Sequence, residues 1–214
     1  MNIEEHIKKM ATIQEKIIDF VDLEGGTSQN FQQLVDFLNE INIRKNDGDL
    51  IELFHLILLI ANNHHRKEDF FSKIFQIIKL FTNDIQRLFS NNEIYRFFSQ
   101  NPRIILFFIQ EKTIIINESI AGEIKTSPFK QYFYPELKKF DDFECEEFED
   151  YESFQRKREI GENPDIICQL IRKDSIDEFL EYVKRNQINI KSEEESMIKN
   201  SIFETNAILN SYIN

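Results

Sequence analysis

Apolar residues recur at intervals of three and four over segment after segment of this chain, and that spacing leaves little room for any fold but a helical one. Phe31, Leu34, Val35, Leu38 and Ile41 lie on one face of a helix for which Ser28 is a candidate N-cap. Upstream, Met1–Leu23 reads as a helix with Ile3, Ile7, Met10, Ile17 and Val21 on one side and Glu4, Glu5, Lys8, Lys9, Glu15 and Asp19 off it. Gly25-Gly26 closes it, because glycine relieves the left-handed conformation at a helix C-terminus. Asn46-Asp47-Gly48 reads as a turn, and the segment from about Asp49 to Ala61 is apolar almost all round, which predicts a central helix. Phe70, Phe71, Ile74, Phe75 and Ile78 mark a fourth helix, and Ile94, Phe97 and Phe98 a shorter one over Asn92–Ser99. Pro102 suits the first turn of the next, which carries Ile105, Leu106 and Ile109. Only Thr113–Ile116 has strand propensity; it is too short and isolated to found a sheet and reads as an extended connection. With five glycines and four prolines in 214 residues, turn-formers are too few for a many-stranded sheet, so the expected class is all-α.

Burial falls to Phe, Ile and Leu: the chain holds 21 Phe and no Trp. The formal net charge of −12 opposes a polyanionic partner, so direct DNA binding is not expected. The clearest basic cluster, Arg156-Lys157-Arg158, sits beside an acidic stretch, Asp141–Glu152. Cys145 and Cys168 make neither a disulfide framework nor a metal-ligand spacing, which points to a reducing compartment. The N-terminus lacks an apolar signal core. The longest apolar run, near Leu53–Ala61 and interrupted by His55, falls far short of the ~20 residues that span a bilayer. A cytoplasmic protein with no membrane association is expected. The change of composition divides the chain into a helical region over 1–140, an acidic linker or surface segment over 141–156, and a C-terminal module over 157–214.

Two segments resemble each other. Glu93–Asn117 and Asp165–Ile190 each read as a short helix, a tight turn, a longer helix and an extended exit. Setting Ile94 on Ile167 places Phe97 on Leu170 and Phe98 on Ile171; one extra residue in the second turn then places Ile105, Leu106 and Ile109 on Phe179, Leu180 and Val183. In the second copy Asn163 and Pro164 suit the N-cap and first helical position, and Ser175 with Glu178 predicts a capping box. Ile176, Phe179, Leu180 and Val183 form its inward stripe. Such a unit has the dimensions of an ankyrin-type helix pair, which must stack on neighbours to cover its apolar face. Periodicity alone fits an ordinary helical hairpin equally well.

NNHHR at Asn62–Arg66, FYPE at Phe133–Glu136, KREIGENPDIICQLIRKDSIDEFLEYVKRNQINI at Lys157–Ile190 and SIFETN at Ser201–Asn206 occur in the order seen in a large ankyrin-repeat family expanded in trichomonad protists. The chain resembles the N-terminal region of that family, most specifically through the third segment. The resemblance implies stacked antiparallel helix pairs of α-solenoid character, leading into degenerate ankyrin repeats, and no known enzymatic activity. Family members continue past the SIFETN segment into many repeats, whereas this chain stops at Asn214.

No catalytic constellation accompanies these helices. His64-His65 are adjacent and diverge by about 100° on a helix, so they cannot easily share a metal. His55 is expected on a core helix with its N–H satisfied. Gly25-Gly26-Thr27 lacks the lysine of a phosphate loop, and no G-x-S-x-G occurs. The expected function is a non-catalytic protein–protein interaction or scaffold module without metal or cofactor. Arg158, Asn163, Asp165, Gln169 and Arg172 are its candidate contacts, on the exposed face of the first helix of the second pair and its entry loop. The alternative is a structural subunit of a larger cytoskeletal or ribonucleoprotein assembly, favoured by long apolar helices that could need a permanent partner.

Overall fold

The computed structural model describes residues 2–23, 25, 28–63, 69–140, 151–160, 166, 170 and 175–186. Every regular element among them is helical, as the apolar spacing predicts. In chain order these are α1 (Ile3–Asp22), α2 (Ser28–Glu40), a 3-10 turn (Ile43–Lys45), α3 (Asp47–Asn63), α4 (Phe70–Leu80), α5 (Thr82–Leu88), α6 (Asn91–Phe98), α7 (Pro102–Gln110), α8 (Glu118–Lys125), α9 (Tyr134–Leu137), α10 (Tyr151–Ile160) and α11 (Ile176–Arg185). The chain forms two compact units, Met1–Glu162 and Asn163–Asn214. The boundary expected between 156 and 157 therefore falls inside α10.

In the first unit α1 packs on α2, α3 and α4, and α3 also meets α4. The nearly all-apolar α3 is central, with Leu50, Leu53, Phe54, Ile57, Leu58, Ile60 and Ala61 buried. Asn46-Asp47-Gly48 is not a separate turn. The Asn46 side chain accepts from the Gly48 N–H (2.9 Å), an N-capping bond that starts α3 at Asp47. At the other end of α1, Leu23 leaves the helix extended and Gly25 sits at φ +64°, where a side chain would be strained. The last turn of α1 holds no basic residue of its own. Lys73 of α4 fills that place: its buried ammonium donates to the carbonyls of Val21 (3.2 Å) and Leu23 and pairs with Asp69 (2.8 Å). A cation there opposes the negative end of the helix dipole and satisfies carbonyls that α1 cannot. Towards the N-terminal end, Lys9 pairs with Asp49 (2.6 Å) and His6 with Glu52 (2.6 Å), tying α1 to α3.

Phenylalanine does the work of the missing tryptophan. Rings run from α3 through α7 in a near-continuous chain: Phe54 to Phe89 (6.3 Å), Phe89 to Phe97 (5.1 Å), Phe97 to Phe98 (4.8 Å), Phe98 to Phe108 (5.0 Å), and Phe107 stacked on Phe75 (4.5 Å, 2° between planes). The tilted and edge-on geometries suit the ring quadrupole. His55 departs from expectation. It lies on α3 but on its exposed side, its ring against Phe97 at 4.3 Å.

The first of the two similar segments folds as read: α6, the Ser99–Asn101 turn, α7 and an extended exit. The Ser90 N–H and hydroxyl both donate to Glu93 (2.8 and 2.6 Å) at the start of α6. Asn101 caps α7 by accepting from Ile104 N–H (3.1 Å), with Pro102 following as the first helical residue. Ile94, Phe98, Ile105 and Leu106 are buried. The exit alternates as a strand would, with Ile114 and Ile116 buried and Ile115 exposed, yet no strand pairs with it among the described residues. Instead the Asn91 amide exchanges two bonds with the Ile115 backbone, accepting from its N–H and donating to its carbonyl (2.8 Å each). A side-chain amide thus stands in for a neighbouring strand.

Candidate docking face

The second similar segment falls in the second unit, where α11 is its described helix. The sequence segregates α11 sharply. Ile176, Phe179, Leu180 and Val183 share one stripe, while Asp177, Glu178, Glu181, Lys184 and Arg185 lie off it. Its acids stand in the first turn and its bases in the last, matching the helix dipole. By alignment with α7 this stripe should face inward. It does so only in part: Phe179 and Val183 are half-buried, but no residue of α11 is fully buried, and Ile176 and Leu180 are 63% and 54% exposed. Leu106, the α7 counterpart of Leu180, is 7% exposed. Periodicity identifies a face; it carries no signal for whether another element covers it.

The predicted Ser175–Glu178 capping box is absent. Ser175 occupies the N-cap position with φ −86° and ψ 69°, and its side chain makes no capping bond. Ser90, at ψ 163°, has the extended backbone that aims the hydroxyl at the first turn. A serine in the right register therefore caps only where the preceding chain approaches at the right angle.

Of the five candidate contact residues, Asn163, Asp165, Gln169 and Arg172 lie outside the described residues, as do His64-His65. Arg158 is described, and its expected exposure is overturned: it is 6% exposed on α10, in the first unit. Its guanidinium pairs with Glu136 of α9 and lies over the Tyr132 ring (5.5 Å), while the Tyr132 hydroxyl donates to its backbone carbonyl (3.0 Å). Burial pushes the Tyr132 phenol up to about 12, against the pull of the Arg158 and Arg103 charges. These contacts, made by a buried side chain, tie α10 to α9 and Tyr132, although the buried Arg158 Nε has no acceptor. No charge pattern within α10 signals this, because the deciding carboxylate is in another helix.

Among the described residues no group of three or more His, Cys, Asp or Glu is placed to hold a metal ion, and no helix is long and apolar enough to cross a membrane. What α11 offers chemically is apolar area edged by charge. Comparison with protein-family models, with curated proteins and with solved structures finds no match to this chain.

Proposed function

We propose that the chain is a non-catalytic protein-interaction module of helical-repeat type that docks through the apolar face of α11. One observation carries this reading: a helix with a sharply segregated apolar stripe leaves Ile176 and Leu180 in solvent. Full burial of a Leu or Ile is worth roughly 1.5–3 kcal/mol, so covering both is a substantial drive for association. The resemblance to the trichomonad ankyrin-repeat family supports the same reading, since a helix pair of that kind stacks on a neighbour. The acidic balance of the chain directs it to proteins and away from DNA, and its setting is cytoplasmic. Asn163, Asp165, Gln169 and Arg172 are the polar contacts proposed alongside the stripe. The test is a photo-reactive benzoylphenylalanine placed at Leu180 and, as control, at Glu181 on the other side of α11. Protein adducts should form at 180 and not at 181; equal yields at both positions would sink the assignment.

A second reading, a permanent subunit of a larger cytoskeletal or ribonucleoprotein assembly, draws on α1. Ile3 and Ile7 at its start are 80% and 62% exposed, beyond the part of the stripe that α2, α3 and α4 cover. Light scattering after size exclusion of the native protein decides it: a stable complex of fixed composition is expected, and a free monomer excludes it.

A further inference from the structure

We propose that the occupant of the α11 face is α11 of a second copy of this chain, packed antiparallel about a two-fold axis. The inference rests on the docking reading and adds the partner and its direction. At about 100° per residue, Ile176, Phe179, Leu180 and Val183 make a seam of the kind that interdigitates with a second helix, with Ile176 and Leu180 exposed and Phe179 and Val183 half-buried. Glu178, Glu181 and Arg185 fall on the far side, roughly 140–200° from Ile176, and stay in solvent.

Asp177 and Lys184 lie elsewhere. They are two turns apart, within about 20° of each other, and both flank the same edge of the seam. Both are exposed. In an antiparallel pair of identical helices, each edge faces its own copy, so Asp177 meets Lys184 of the second chain and Lys184 meets its Asp177. The axis that pairs them passes between Leu180 and Glu181, one residue from the centre of the apolar stripe; centring the stripe instead parts each pair by two residues of rise, about 3 Å along the helix, which a lysine side chain can span. The same two-fold axis therefore satisfies the seam and the charges. In a parallel pair that edge would face the edge carrying Tyr182 and Asn186, which has no charge to offer. The contact is isologous and closes on itself, giving a dimer and not a filament.

A four-residue seam on a ten-residue helix is small by the standards of stable interfaces, so the dissociation constant should be on the order of 100 µM. Sedimentation equilibrium of the full chain, with helicity checked by circular dichroism, tests the proposal. The wild type should dimerise reversibly. D177K sets two lysines against each other and K184D two aspartates, and each alone should weaken the dimer about tenfold. The double variant D177K/K184D rebuilds both pairs with reversed sign and should recover to within about twofold. L180E should leave only monomer. A wild type that remains monomeric at about 1 mM would overturn the pairing, as would single reversals that change nothing. If the wild type is monomeric while the probe at 180 still couples to another protein, self-pairing falls and the docking reading stands. Adducts confined to the probe's own chain would overturn both.

Discussion

α7 and α11 are the longer helices of two segments with the same apolar pattern, and they meet opposite fates. In α7 Ile105 and Leu106 are buried inside the first unit and Ile109 is half-buried, with α6 packed alongside. In α11 the counterparts Phe179 and Val183 are half-buried, while Leu180, and Ile176 beside it, lie in solvent. The difference lies in what surrounds each helix and not in the helices themselves. α7 is pinned at its start by Asn101, whose amide also donates to Asn62 of α3 (2.8 Å), and its exit strand is held by Asn91. No such bonds appear among the described residues around α11.

The comparison predicts unequal responses to equal changes. Leu106→Ala should cost about 2–5 kcal/mol in chemical denaturation, because it opens a cavity in a packed core. Leu180→Ala should stay within about 0.5 kcal/mol, since an exposed side chain leaves no cavity. Similar losses at both sites would mean that α11 is covered after all. A smaller effect is expected at the polar clamp. Asn91→Ala frees the Ile115 N–H and carbonyl and should lower stability by about 1 kcal/mol, with faster amide exchange at Ile115 as the local signature. The caps offer a third contrast: Ser90→Ala should cost about 1 kcal/mol and Ser175→Ala only a few tenths, because only Ser90 bonds to its helix.

The smallest effect near neutral pH concerns Tyr132, whose hydroxyl donates to the Arg158 carbonyl. Tyr132 has its phenol raised from 10.0 to about 12 by burial, so its neutral form is favoured in the folded state. The stability that goes with this is fully present below pH 10 and is lost as pH rises from 10 towards 12. In an ultraviolet titration, Tyr132→Phe should remove a phase centred near 12; loss of a phase near 10 would mean that α10 does not shield this ring.

Much of this fold was legible because helices write their faces in local sequence. The central position of α3, the Phe stripe of α4 and the α6–α7 pair all follow from spacing, as does the reading of Thr113–Ile116 as extended but unpaired. The short helices α5, α8 and α9 gave little periodicity to read. The misplaced residues were those whose surroundings come from far along the chain. Arg158 is buried because Glu136 waits for it, and His55 is exposed because α3 turns that side outward. The docking face shares this limit: its residues were named from the sequence as an inward stripe, and the exposure of Ile176 and Leu180 could not be read from spacing.

The most direct test is paramagnetic relaxation of leucine methyl groups by a soluble gadolinium chelate. In dilute solution the Leu180 methyls should relax strongly and those of Leu106 should be shielded. On concentrating the protein, Leu180 should become shielded while Leu59, exposed on α3, stays open. Leu180 methyls shielded at every concentration would contradict the account.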